Sequence, residues 1–274
     1  MSRVIPFVKA GACGNDFLVV ECGNPDWGIE GVDAPAGLAN LSRRLCDRHA
    51  GVGADGVEWL FPAADADVRA RLINADGSEA EISGNGTRCV AAYLCSKQKR
   101  EQVSVSTGAG VKLCSLLSHT DASFEFEMAM GKPEISDPLM LKLARGEVSG
   151  IPVSMGNPHY VVFVDEFGDG WQAEGVRIQQ QPAFPHGVNV EFVRIVDAHS
   201  IEVRFFERGV GETQSSGTGS CASAVAAISS DRSKSPVRVC APGGTQTVRW
   251  SGQVFLRGSA QLICRGEFFL YDSG

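Results

Sequence analysis

The chain has 274 residues, with 25 basic and 32 acidic side chains and a formal net charge of -7 at pH 7. It contains no block of roughly five or more like charges, which argues against nucleic-acid partners and a polybasic membrane surface. The first residues lack the apolar core of a signal peptide, and no apolar run approaches the ~18 residues of a transmembrane helix. We therefore expect a cytoplasmic protein with no membrane partner.

The nine cysteines are scattered along the chain, and none forms a Cys-x-x-Cys pair. Such a pair would indicate a zinc knuckle or a redox motif. We therefore expect reduced cysteines, most of them packed as small apolar side chains, and no metal site.

The predicted secondary structure consists of many strands and a few helices, because apolar residues mostly alternate with polar ones and only rarely follow a helical period. In chain order the pattern predicts a strand after Gly14, helices at 35–50 and 87–97, strands at 103–117 and 123–130, a helix at 137–146, strands at 159–165, 189–196 and 200–209, and a helix at 219–230.

Three features occur twice in the same order, which indicates an internal repeat. Each half has a Gly-Asn pair before an apolar strand, then a polar loop, then a Ser-Gly-x-Gly turn that opens a helix. The turns begin at Ser83 in "SGNG" and at Ser216 in "SGTG". The repeat predicts an α/β protein of the α+β kind, with two similar strand-rich domains, each wrapped around a central helix, and an active site in the cleft between them. We place the domains at about 1–118 and 119–261.

The two glycine-flanked turns suit anion binding and proton transfer. The first turn of a helix leaves backbone N–H groups unpaired at the positive end of the helix dipole, so it can hold a carboxylate. Inversion of a carbon next to a carboxylate needs a base on one face and an acid on the other. A pair of such turns could supply both groups.

Six segments resemble the signature sequences of the diaminopimelate epimerase family, in order and over nearly the whole chain. They are "GNDFLVVE", "CDRHAGVGADGV", "NADGSEAEISGNGTRC", "MGNPH", "GVNVEFV" and "ERGVGETQSSGTGSCASAV". The resemblance implies a cofactor-independent isomerase of lysine and cell-wall biosynthesis. Such an enzyme uses no pyridoxal phosphate and interconverts LL- and meso-diaminopimelate with two cysteines as acid and base. It also implies that residues 262–274 return to the first domain and allows a homodimer.

The resemblance assigns roles to individual residues. It implies that asparagines hold the polar ends of a small amino acid substrate, that the two turns cradle anions, and that three further residues grip the distal end and flank the catalytic pair. In that order these are Asn15, Asn74, Asn157 and Asn189; Gly84 with Asn85 and Gly217 with Thr218; and Glu207, Arg208 and His159.

The chain departs from the family at both catalytic positions, where the resemblance predicts cysteine and the sequence has Ser83 and Ser216. A hydroxyl is a far weaker acid than a thiol, so an inactive form of the epimerase is expected. The serines could have been introduced by design to trap substrate, or the chain could be a diverged relative. Such a relative would isomerise a different amino acid or bind one without turnover.

Two other enzyme classes fit the sequence poorly. The "GVGADG" segment at 51–56 matches the dinucleotide-binding glycine pattern but follows a helix-like stretch, whereas that fingerprint follows a strand and opens a helix. A serine hydrolase could pair Ser83 or Ser216 with His159, but the sequence offers no nucleophile elbow and no evident acid to orient the histidine.

Overall fold

The computed structural model describes residues 3–22, 35–143 and 146–270. The chain divides into two compact units, one of Met1–Met128 with Ser259–Gly274 and the other of Ala129–Gly258. The predicted domain boundary after residue 118 lies inside a strand, Gly110–His119.

Within its described residues, the first unit contains two helices and eight strands, together with the end of a long ninth strand. Its elements are β1 (Arg3–Ala12), β2 (Asn15–Glu21), α1 (Pro35–Cys46), β3 (Gly56–Phe61), β4 (Val68–Asn74), β5 (Glu79–Ala80), α2 (Gly84–Lys97), β6 (Gln102–Thr107), β7 (Gly110–His119) and β8 (Ser123–Gly131). The described end of the chain closes this unit, because residues 261–270 pair antiparallel with β1.

The second unit repeats this succession after an extra pair of short strands. Its elements are β9 (Glu134–Ile135), β10 (Leu139–Leu143), β11 (Gly146–Ser154), β12 (Pro158–Phe163), α3 (Trp171–Gln179), β13 (Asn189–Asp197), β14 (Ser200–Glu207), β15 (Gly211–Thr213), α4 (Gly217–Ser229), β16 (Val237–Ala241), β17 (Gly244–Ser251) and β18 (Gln253–Leu270).

The strand order is the same in both units. In the first, β2 runs parallel to β3, β3 antiparallel to β4, and β4 parallel to β6. In the second, β12 runs parallel to β13, β13 antiparallel to β14, and β14 parallel to β16. The prediction of two similar strand-rich α+β units is therefore confirmed.

Each unit surrounds one central helix, which contacts strands on several sides. Residues 85–92 of α2 and 219–227 of α4 are buried. Both segments consist mainly of glycine, alanine, serine, cysteine and valine, whose small side chains let the surrounding strands approach closely. Each helix in the part of the chain that the structure describes is too short or too polar to cross a lipid bilayer.

The helix predicted at 137–146 is wrong. Residues 139–143 form β10, which pairs antiparallel with β11, and residues 144 and 145 lie outside the described ranges. Leu141 is buried among the apolar side chains that surround Tyr160, whereas Met140 and Lys142 are exposed. The Tyr160 hydroxyl donates to the Leu139 carbonyl at 2.7 Å. The apolar residues of this segment are compatible with a strand or a helix, and pairing with β11 makes it a strand.

Candidate active site

Ser83 is the N-cap of α2, as its position before the glycine turn predicts. Its backbone is extended, with φ -124° and ψ 123°, and its Oγ accepts from the Gly86 N–H at 3.1 Å. The Thr87 hydroxyl donates to the Ser83 carbonyl at 2.8 Å. These bonds fix the serine at the mouth of the helix, beside the first-turn N–H groups of Gly84 and Asn85.

Asn15 and Asn85 are in direct contact in the first unit. Asn85 Nδ2 donates to Asn15 Oδ1 at 2.8 Å, and Asn15 Nδ2 donates to Asp55 Oδ2 at 3.0 Å. The fully buried Arg88 donates through Nη2 to Asn85 Oδ1 at 2.5 Å. Two predicted site residues are therefore held together next to the Ser83 turn.

Asn74 takes part in a different local structure. Its side chain donates to Ser78 Oγ at 3.0 Å, and its backbone N–H donates to the Ser78 carbonyl at 2.8 Å. These bonds close the turn between β4 and β5. The polar loop that the sequence places before Ser83 is thus a tight turn.

Ser216 caps α4 in the same way. Its backbone is extended, and its Oγ accepts from the Gly219 N–H at 3.2 Å. Burial raises the pKa of the nearby Glu207 carboxyl, and a side-chain hydrogen bond with Ser216 offsets part of that rise. Ser216 therefore has a carboxyl partner that could exchange a proton with its hydroxyl.

His159 lies in the second unit with both ring nitrogens engaged. Nδ1 is 2.7 Å from Glu191 Oε1, and Nε2 is 3.0 Å from Asn157 Oδ1. Burial raises the pKa of Glu191, and the neighbouring histidine offsets part of the rise. The Asn157 amide also donates to Thr218 Oγ1 at 3.3 Å, so a chain of contacts runs from Glu191 to the first turn of α4.

Asn189 and Arg208 form a second group in this unit. Asn189 Nδ2 donates to the Pro158 carbonyl at 3.1 Å, and Asn189 Oδ1 accepts from the Arg208 backbone N–H at 3.0 Å. The Arg208 guanidinium donates to the His186 carbonyl at 3.0 Å. Asn189 therefore fixes the start of the loop that follows Glu207.

Two glutamates near the helix caps were not predicted from the sequence to belong to the site. Glu58 on β3 and Glu191 on β13 are buried, and each carboxylate packs against the third residue of a central helix, Gly86 or Gly219. An acidic residue inside an otherwise apolar strand, as in "GVEWLF" or "NVEFV", could have identified them, because acidic side chains are rarely buried.

The sequence profile of diaminopimelate epimerase matches residues 7–136 and 151–263. The chain belongs to the diaminopimelate epimerase family. The predicted resemblance is therefore confirmed, and with it the assignment to the epimerases, a class of isomerases.

Individual members of the family are similar over almost their whole length. The chain is 37% identical over 280 residues to the diaminopimelate epimerase of Pelotomaculum thermopropionicum, covering 96% of this chain and 98% of that one. It is 38% identical over 281 residues to the diaminopimelate epimerase of Desulforudis audaxviator, with the same two shares.

Solved structures of more distant proteins share the fold. A hydroxyproline epimerase from Agrobacterium vitis superposes with a TM-score of 0.72 at 17% identity, covering 100% of this chain and 95% of that one. A phenazine biosynthesis protein of the PhzF type from Bacillus anthracis superposes with a TM-score of 0.71 at 16% identity, covering 96% and 98%. At such low identities the similarity shows only that this chain shares its fold with these proteins. It does not indicate which substrate the chain binds.

Replacement of His159 tests how much the buried contact between His159 and Glu191 contributes to stability. We expect His159→Leu to lower the free energy of unfolding at pH 8 by about 3 kcal/mol, because Glu191 would then be buried without its partner. The loss should shrink at pH 5, where Glu191 can be protonated. Urea unfolding at both pH values measures it, with His186→Leu on the exposed surface as the control. Equal losses at pH 5 and pH 8 would contradict the charge argument.

Proposed function

We propose that this protein is a diaminopimelate epimerase that interconverts LL- and meso-diaminopimelate by two-base proton transfer at the α-carbon. We further propose that its turnover is slow or absent because serine occupies both acid–base positions. The observation that carries the proposal is the equivalent capping of two buried central helices by Ser83 and Ser216. Both caps belong to a chain that matches the family over nearly its full length.

In this proposal the site residues act as three sets. Asparagines hold the polar ends of the substrate, the two turns cradle its anionic groups, and three further residues grip the distal end and flank the acid–base pair. In that order these are Asn15, Asn74, Asn157 and Asn189; Gly84 with Asn85 and Gly217 with Thr218; and Glu207, Arg208 and His159. Charged and amide groups of this kind suit a ligand that carries an ammonium and a carboxylate at both ends.

The proposed reaction moves one proton off the α-carbon and another onto its opposite face. One serine first gives up its hydroxyl proton to a neighbouring base, and its oxygen then takes the proton of the α-carbon. The electron pair of the broken bond delocalises into the adjacent carboxylate. The positive ends of α2 and α4 would stabilise this negative charge. The second serine then delivers its own hydroxyl proton to the carbon, which inverts the configuration. No bound cofactor enters this scheme.

The weak step is the ionisation of a serine. A thiol has a reference pKa of about 8.5, and a helix N-terminus can lower it further, whereas a hydroxyl needs an adjacent base to give up its proton. Glu207 can act as that base for Ser216 because its carboxyl bonds to the serine and its pKa is raised by burial. We therefore propose weak residual proton exchange.

Titration with diaminopimelate stereoisomers tests the substrate, and loss of the α-proton signal in deuterated buffer tests the chemistry. With no cofactor added, the LL or meso isomer should bind while its α-proton exchanges over hours to days. L-Lysine, which lacks the second carboxylate, should bind at least about tenfold more weakly because charge-assisted hydrogen bonds are lost.

Two results would count against the proposal. Equal affinity for lysine and diaminopimelate would reject the substrate. Exchange at a rate of about 1 per second or faster, the lower end of ordinary enzyme turnover, would reject the claim that the serines disable the reaction.

A further inference from the structure

Glu58 is a buried carboxyl that points at the first turn of α2. It is 3% exposed and lies on the face of β3 opposite Val57 and Trp59, which pack in the cluster around α1. A methyl group built on Gly86 would overlap Glu58 Oε1 and would lie 3.3 Å from Ser83 Cβ. The carboxylate and the serine side chain therefore flank the same point at the helix entrance.

The Glu58 carboxyl makes no hydrogen bond or ion pair with the residues in the described ranges, and burial alone raises its pKa to about 8. The paired strands present Val19 and Leu72 beside it. On α2, Cys89 senses the Glu58 charge, and Arg88 donates through Nη2 to Asn85 and Cys13. A buried acid with no partner is costly, which points to a use beyond packing.

The second unit places a glutamate at the equivalent position. Phe17 pairs with Gly56 across β2 and β3, and His159 pairs with Asn189 across β12 and β13. Glu58 and Glu191 each lie two residues beyond these partners, and each packs against the third residue of the central helix. The difference is that His159 engages Glu191, whereas the residue matching His159 in the first unit is Phe17.

We propose that Glu58 is the positioning residue of Ser83 and holds the proton that Ser83 exchanges with the substrate α-carbon. The inference rests on the proposed epimerase function and assigns to that site a residue outside the family motifs. It makes the two serines comparable, because Ser216 already has Glu207 as its carboxyl partner.

The proton transfer balances in both directions. When Ser83 acts as the base, its O–H bond breaks as the proton passes to a Glu58 oxygen, and the serine oxygen takes the proton of the α-carbon. When Ser83 acts as the acid, its proton passes to the carbanion and the Glu58 proton replaces it. A carboxyl that ionises near neutral pH can serve in both roles.

The substitution Glu58→Gln tests the proposal in the full chain, because it keeps the shape and removes the ionisation. We expect the rate of α-deuterium incorporation into diaminopimelate to fall at least about tenfold, with ligand affinity unchanged, and the inflection of the rate near pH 8 to disappear. Leu60→Met, a volume-conserving change at a buried position on the same face of β3, is the control for disturbed packing and should leave the pH profile intact.

A second readout needs no substrate. In a Ser83→Cys variant, peptide-level mass spectrometry can follow alkylation of the introduced thiol as a function of pH. Adding Glu58→Gln should shift that profile to lower pH by about one unit, because an ionised carboxylate nearby disfavours the thiolate. A glutamate with only a packing role would leave the profile in place.

The two readouts separate the possible failures. Unchanged alkylation and exchange profiles in the glutamine variant would overturn the role of Glu58 while leaving the epimerase proposal intact. A shifted alkylation profile in a protein that neither binds nor exchanges diaminopimelate would support the coupling of Glu58 to position 83 and reject the proposed function.

Discussion

The double substitution Ser83→Cys and Ser216→Cys is expected to raise the rate of α-proton exchange in diaminopimelate by at least about 100-fold, a typical effect of an efficient general acid or base. Both positions are N-caps whose side chains lie at the positive end of a helix. A thiolate is stabilised there far more readily than an alkoxide. Proton NMR in deuterated buffer measures the exchange, and a stereospecific assay measures the conversion of LL to meso isomer.

The single substitutions are the matched controls. Each leaves a hydroxyl on one face of the proposed reaction, so each should stay much closer to the parent rate than to the double variant. A thiol at exposed position 118, introduced by Ser118→Cys, controls for an added cysteine elsewhere. If the double variant binds diaminopimelate and remains as slow as the parent, a diverged relative becomes the better explanation of the serines.

The largest expected effect on stability comes from Glu58. The folded protein holds the Glu58 proton up to about pH 8, whereas an unfolded chain releases it near the ordinary pKa of about 4.3. Between these values the folded state binds more protons, so stability falls as the pH rises and levels off above about pH 8. We expect Glu58→Gln to exceed the parent by roughly 3–5 kcal/mol in free energy of unfolding at pH 9, and to match it near pH 4.

Urea unfolding at pH 4, 7 and 9 measures this difference. Glu81→Gln, at an exposed position of the same unit, is the control. Its free energy of unfolding should differ from that of the parent by the same amount at all three pH values. If the free energy of unfolding of Glu58→Gln also changed with pH as in the parent, Glu58 would have an ordinary pKa in the folded protein. The argument that its burial is costly would then fail.

Local signals carried most of what the sequence predicted. The Ser-Gly-x-Gly turns identify the starts of α2 and α4 because the cap and the glycines lie within four residues. The short apolar run of β10 fits either period, and only its pairing with β11 decides between them. The helix α3 was missed because it begins after Gly170, which offers no side-chain cap.

The electrostatics of the site could not be predicted in the same way. The contact between Ser216 and Glu207 joins the end of β14 to the start of α4 across the short strand β15. The placement of Glu58 under Gly86 depends on the register of β3 against β2 and β4, which no local pattern specifies. Motifs therefore indicated the candidate residues, whereas tertiary pairing decides which carboxyl lies near each serine.

Gly86 is needed for space rather than for backbone freedom, because the volume that a β-carbon would fill is occupied by the Glu58 carboxylate. The two residues therefore form one steric unit. A homologous chain with alanine at position 86 would have to carry a shorter side chain at position 58, so the two positions should vary together across the family. Covariation of this kind would show that the first turn of α2 and the strand β3 have evolved under a shared packing constraint.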